Sequence, residues 1–214
     1  CGNLAVQTNI KASDVPHAEM KRLADEIQRR VNFGIGRTNI EPVASSVIET
    51  IQASPIRWQR DMTKMAEDQL GTVGSGNHYV DVLEDQQGIL WVAVHFGSRG
   101  FGHKTAKGFM NIAQGRRCDD GNREGEMDAP PLLLPVQDSS GQDYIEAMKI
   151  AGAYAYAGRS AVVAKVLEIL GAHETFVVHN HHNFAWQEAH DQETFWVVRK
   201  GATPAFPGQW GFVG

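Results

Sequence analysis

The sequence has little cysteine, no long apolar run and no large excess of either charge. Cys1 and Cys118 are its only cysteines, too few for a disulfide framework, so a reducing compartment and a ligand or inert role for each are expected. The longest apolar runs, such as 89–94 and 195–198, are too short to cross a bilayer, and no charged-then-apolar segment opens the chain. A soluble, cytoplasmic protein without a membrane partner follows. The net charge of −5 excludes a protein that coats nucleic acid by bulk electrostatics, and leaves room only for a local basic groove. Internal repeats and low-complexity tracts are also missing. The first residue is Cys rather than Met, so the chain is expected to be processed or truncated, with both ends cut inside a fold.

Its 214 residues suffice for one domain, 1–214, with a core that needs no staple. The pattern predicts an α/β (α+β) domain of mixed sheets with flanking helices. Asn3–Thr8 reads as a strand. Asp14 reads as an N-cap, followed by a helix with Leu23, Ile27 and Val31 in stripe and Gly34 as its stop. A second helix is predicted over Pro55–Leu70, ended by Gly71. From about Asp143 to Leu170, apolar spacing predicts one long helix or two broken at Gly152 or Gly158. Residues 118–143, rich in Gly and Pro, read as an irregular loop, a lid or a surface crossing. Phe176–His179 and Thr194–Arg199 read as strands.

The most informative stretch is GTVGSGNHYVDVLEDQQGILWVAVHFGSRGFG, from Gly71 to Gly102. It reads as a hairpin of Asn77–Leu83 and Ile89–His95. With His78 opposite His95, the residue numbers of each cross-strand pair sum to 173 and the loop is Asp85–Gly88. Two opposed imidazoles have Cβ atoms about 5 Å apart, close enough to share one metal or serve two adjacent ones. A third histidine, His182 or a neighbour in HNHHN, would complete a nitrogen site, and Cys1 would add a thiolate able to bridge two ions. An isolated histidine near a strand end is more often an ordinary hydrogen-bonded residue, so His17, His103, His173 and His190 receive no role. Arg99 suits a phosphate gripped by two prongs beside a metal. Lys104, Lys107, Arg116, Arg117, Arg199 and Lys200 would widen a basic groove, although solvated charge is the plainer reading of each. The glycines of 71–76 precede a strand and no Gly-Lys-Ser/Thr follows, so no P-loop is implied. Ser98 lacks a nucleophile elbow.

Taken together, CGN, GTVGSGNHYVD, HFGSRG, HHNFAWQE and RKGAT resemble the ordered motifs of the RtcB family of RNA ligases, across essentially the whole chain. The resemblance implies an enzyme that uses two manganese ions and GTP. Such an enzyme joins RNA ends bearing a 2′,3′-cyclic phosphate or 3′-phosphate to a 5′-hydroxyl through a histidine–GMP intermediate, with an archease-type activator as a possible partner. It implies Cys1, His78, His95 and His182 as metal ligands. Asn77, His78 and Asp81 then fall at the GTP site, and Arg99 and Lys200 at the RNA phosphate. Manganese is implied by the resemblance, since imidazoles and a thiolate bind zinc more tightly on intrinsic affinity. Three features depart from the family. Its metal-binding aspartate precedes the cysteine by three residues, before this chain begins. Asp81 stands where the family has glutamate. The guanylylated histidine belongs to an HGAGR-like motif expected past Gly214, so the 214 residues should bind manganese and form no GMP adduct. From other classes, a non-catalytic metal- and RNA-binding module working with a partner and a metal-dependent phosphohydrolase remain alternatives.

Overall fold

The computed structural model describes residues 1–121 and 132–212. Strand β1 (Gly2–Lys11) runs into a 3-10 turn at Ala12–Asp14 and helix α1 (His17–Arg30). Helices α2 (Ser46–Gln52), α3 (Arg57–Arg60) and α4 (Thr63–Gln69) follow, then strands β2 (Tyr79–Glu84) and β3 (Ile89–Phe96) and helix α5 (Arg99–Ala113). Helix α6 (Ser139–Leu170) and strands β4 (Glu174–His181), β5 (Asn183–His190) and β6 (Glu193–Lys200) complete the described chain. No described helix is long and apolar enough to cross a membrane. The α+β character predicted from pattern is present: helices flank a four-stranded sheet of order β2-β3-β1-β4, and β5 and β6 form a separate ribbon. All strand pairs are antiparallel, with one isolated parallel bridge between Phe33 and Val73.

Alternation along the strands assigns each residue a face. Leu4 and Val6 of β1 pair with Val94 and Val92 of β3, and these side chains meet Val162, Val163 and Val166 of α6 in the main core. A second cluster joins Val47, Ile48 and Ile51 of α2 with Ala66 and Leu70 around α4, Phe101 of α5, and Ile150 and Tyr154 of α6. Helix α6 is therefore the common wall. Gly152 and Gly158 do not break it: a β-carbon at Gly152 would overlap Phe184, and one at Gly158 would crowd Phe96, so these glycines let neighbours approach a continuous helix. The helix ends on Gly171 at φ +65, where Ala172 N–H bonds Leu167 O and Gly171 N–H bonds Glu168 O, in the manner of a Schellman cap.

Several local expectations are corrected. Helix α1 is capped by Pro16 and not Asp14, whose place is the preceding 3-10 turn. The helix predicted over Pro55–Leu70 is two pieces, α3 and α4, parted at Asp61–Met62. Gln59 turns inward there, fully buried, bonding Ser54 Oγ and Ala147 O. Strand β5 and helices α2 and α5 lie in stretches to which periodicity assigns no element. Of the irregular stretch 118–143, residues 122–131 lie outside the described residues, and α6 already begins at Ser139.

Candidate metal centre

The hairpin register differs from the predicted one by a single residue. Tyr79, not His78, faces His95, and the paired numbers sum to 174. The reason is in the turn. Asp85 N–H bonds Ile89 O, which leaves a three-residue loop, Gln86–Gly88, with Gly88 at φ +76. The Asp85 carboxylate holds that loop by accepting from Gln87 N–H, Ile89 N–H and the Trp91 indole. His78 thus stands just before β2.

This slip does not separate the histidines, because strand ends converge. Register places Tyr79, His95, Asn3 and Asn180 in one row on the sheet face away from α6. By the same alternation, His179 and His181 pair with Leu4 and Gly2 and face α6, whereas His182, one residue past β4, returns to the His95 side. His182 and His95 have ring centroids 4.8 Å apart, and Tyr79 stacks on His95 at 5.4 Å. Phase along the strand therefore selects His182 from its neighbours.

Cys1 directly precedes β1. Its carbonyl accepts from the N–H groups of both His182 and Asn183, at 3.2 and 3.3 Å, which ties it to the end of β4. Its Sγ and one ring nitrogen each of His95 and His182 lie within 4.8 Å of one another. Sγ is also 3.8 Å from His78 Nε2. Bonds of about 2.1 Å to nitrogen and 2.3 Å to sulfur, taken from zinc, put donors around one ion no more than about 4.4 Å apart, so this set needs only small closure. Glycines make the approach possible: a β-carbon on Gly97 would press on Cys1, one on Gly2 would overlap Asn180 O, and one on Gly74 would overlap both His78 Nδ1 and the Arg99 guanidinium.

The donors are ready for a cation. His95 is buried, and its Nδ1–H donates to Asn3 Oδ1 at 2.6 Å, which turns the Nε2 lone pair toward the cluster. Burial, then the neighbouring His182 and His78, lowers the His95 pKa to about 4. Burial and Arg99 lower that of His78, and burial lowers that of His182. All three rings are neutral at neutral pH, the form that binds metal. Asn3 is the residue sequence reasoning missed; its position opposite His95, once β1 and β3 are paired, is the only signal that would have found it.

The remaining predicted residues separate. Asn77 Nδ2 lies 3.4 Å from His95 Nε2, within the centre. Arg99 opens α5 in the left-handed region at φ 52, its Nε bonding Thr72 Oγ1 and its Nη2 bonding Gly34 O, so the guanidinium is held beside His78 and not in a free turn. Lys200 pairs in backbone register with Asn183, next to His182. Asp81 is exposed on β2 beside an apolar cavity of about 700 Å³ that Tyr79, Phe33 and α1 line, outside the cluster. The basic groove divides: Lys104, Lys107, Arg116 and Arg117 line one cavity of about 900 Å³ with Arg57 and Trp58, whereas Arg199 is bound to Glu188.

A profile described as tRNA-splicing ligase RtcB matches residues 45–212. The chain is 31% identical to the tRNA-splicing ligase RtcB of Pyrobaculum aerophilum, over 97% of this chain and 54% of that protein. It is 28% identical to RNA-splicing ligase RtcB homolog 1 of Entamoeba histolytica, over 96% of this chain and 49% of the relative. With RNA-splicing ligase RtcB of Escherichia coli K12 the identity is 26%, over 100% and 58%. The chain thus spans about half the length of these curated relatives. The profile covers most of the chain, and the chain belongs to the RtcB family.

Proposed function

We propose that this chain, as one folded unit in the cytoplasm, carries the divalent-metal centre of an RNA ligase. The ligase would join 2′,3′-cyclic-phosphate or 3′-phosphate RNA ends to 5′-hydroxyl ends with GTP and two manganese ions. One observation carries the reading: Cys1 Sγ lies 3.8 Å from His78 Nε2 and within 4.8 Å of a ring nitrogen of each of His95 and His182. A thiolate so placed would serve two ions. His95 and His182 would complete one site with Cys1, and His78 would face the second. Divalent ions so held would neutralise charge on a phosphoryl group during transfer.

The chain's own residues then position reactants. Asn3 fixes the His95 ring, and Asn77 at its Nε2 edge is suited to a nucleotide phosphate. Asp81 is the proposed guanine contact, reached along β2 from Tyr79. Arg99, immobilised by Thr72 and Gly34, and Lys200 beside Asn183 are the proposed grips on RNA phosphate. The Lys104, Lys107 and Arg116 cavity would carry the strand's backbone away from the centre, with Trp58 as a stacking surface. An archease-type activator remains part of this proposal.

Manganese titration followed by electron paramagnetic resonance tests it. The wild-type chain should take up two ions, and His95→Ala and His78→Ala should each weaken one of them at least tenfold. Uptake unchanged in both variants would defeat the reading. In an assay with cyclic-phosphate RNA, phosphate release without joined product would favour a phosphohydrolase instead.

A further inference from the structure

Beneath the Cys1 cluster lies a buried cation that forms no ion pair among the described residues. Arg159 of α6 is 0% exposed and heads the largest fully buried side chains. Its contacts reach the three strands that end at the cluster. Nη1 donates to Phe96 O at 2.8 Å, on the residue after His95 in β3. Nε donates to His179 Nε2 at 2.9 Å, in β4, three residues before His182. Its Cζ lies only 3.1 Å from where a β-carbon on Gly2 would stand, next to Cys1 in β1. Tyr156, one turn earlier on α6, supports the arrangement. Its ring stacks on His179 at 3.8 Å, its hydroxyl donates to His179 O at 2.9 Å, and the guanidinium lies 4.9 Å from its centroid. Nη2 has no hydrogen-bond partner among the described residues.

Such a residue is costly. A buried charge without a counter-ion loses several kcal/mol of hydration, and an apolar residue of like volume is often as stable or more so. One turn further along α6, Val162, Val163 and Val166 hold the same sheet by apolar packing alone. Among the described residues, the side-chain hydrogen bonds that α6 makes to the sheet, from Tyr156 and Arg159, are confined to the end that carries Cys1, His95 and His182, whereas Lys165 and Glu168 bond Arg30 of α1. We propose that Arg159 is a positioning residue for the metal centre: its fork sets the spacing of the β1, β3 and β4 ends, and through them the mutual placement of the cysteine and the two histidines.

The inference rests on the metal reading above, and the tests separate the two. Arg159→Met removes charge and fork while filling most of the space; Arg159→Lys keeps the charge but cannot make both bonds. For Arg159→Met we expect a Tm equal to or above wild type, a manganese Kd raised about ten- to a hundredfold, and a weakened or shifted thiolate-to-cobalt absorption after cobalt(II) substitution. Arg159→Lys should fall between. A folded Arg159→Met chain with wild-type manganese affinity and cobalt spectrum overturns the assignment. If that variant does not fold, Arg159→Lys decides by the same two readouts: unchanged values overturn the assignment, and weakened affinity with an altered spectrum supports it. A wild-type chain that takes up no manganese overturns the metal reading and this inference with it.

Discussion

Asn3 accepts the Nδ1 proton of His95 from a position 1% exposed, so its loss would leave a buried donor without a partner. That costs about 1–3 kcal/mol and frees the ring to rotate. Asn3→Ala should therefore lower both Tm and manganese affinity, the latter by about tenfold or more, as read from thermal melts and metal titration on one sample. An affinity unchanged in the folded variant would show that Asn3 does not orient the ring. Gly74 poses the opposite problem. Its lack of a side chain is what lets His78 and Arg99 pack against the backbone. Gly74→Ala should cost about 1–3 kcal/mol in denaturant unfolding, the usual penalty for overfilling a packed site, and should displace His78. Neither residue announces itself in sequence: an Asn and a Gly have many uses, and only the register between β1 and β3 or the packing of the 71–76 loop fixes theirs.

At the scale of elements, much was legible where periodicity ran long. The α6 stripe and the β2–β3 hairpin are both present. What failed were places where a polar side chain, not an apolar one, decides the chain's path. Asp85 closes a three-residue loop and moves the hairpin by one position, and Gln59, buried within α3, ties that helix to Ser54 and Ala147. The His78 and His95 pair was read correctly as neighbours despite the wrong register, because two strand ends bring residues together even when they are not directly opposed; their ring centroids are 5.8 Å apart. His182 needed the phase of β4, which a run of His and Asn does not display. Tyr154 shows how such polar ties add up between helices. Its hydroxyl donates to Ala66 O at 2.8 Å and joins α6 to α4, while Leu70 N–H already bonds the same carbonyl. Tyr154→Phe leaves that oxygen with a partner, so a loss near 1 kcal/mol is expected, not the larger penalty of an orphaned group. Denaturant midpoints would measure it, and a loss above about 3 kcal/mol would contradict this account.

The molecule as a whole stores its acid sensitivity in the histidines around the sheet ends. Burial, and after it the Arg159 charge, lowers the pKa of His179 and of His181 to about 3, and burial lowers that of His95 to about 4. In the unfolded chain each titrates near 6.5. Above about pH 6.5 both states leave these rings neutral, and their contribution to stability is fully present. As pH falls below that value the unfolded state binds protons that the folded state refuses, so stability drops until the folded values are reached. The slope is up to about 1.4 kcal/mol per pH unit for each such ring. Carboxylates titrate lower, so the interval between about pH 6.5 and 4.5 belongs to the histidines. With chelator present, to keep protons from competing with metal, Tm should fall steadily through that interval. His179→Gln supplies a side-chain oxygen to accept the Arg159 Nε–H without a proton to gain, and should make the fall shallower by about one ring's share. A Tm that stays level down to pH 4.5 would mean the rings are not held neutral by burial, and an unchanged slope in His179→Gln would remove His179 from the set.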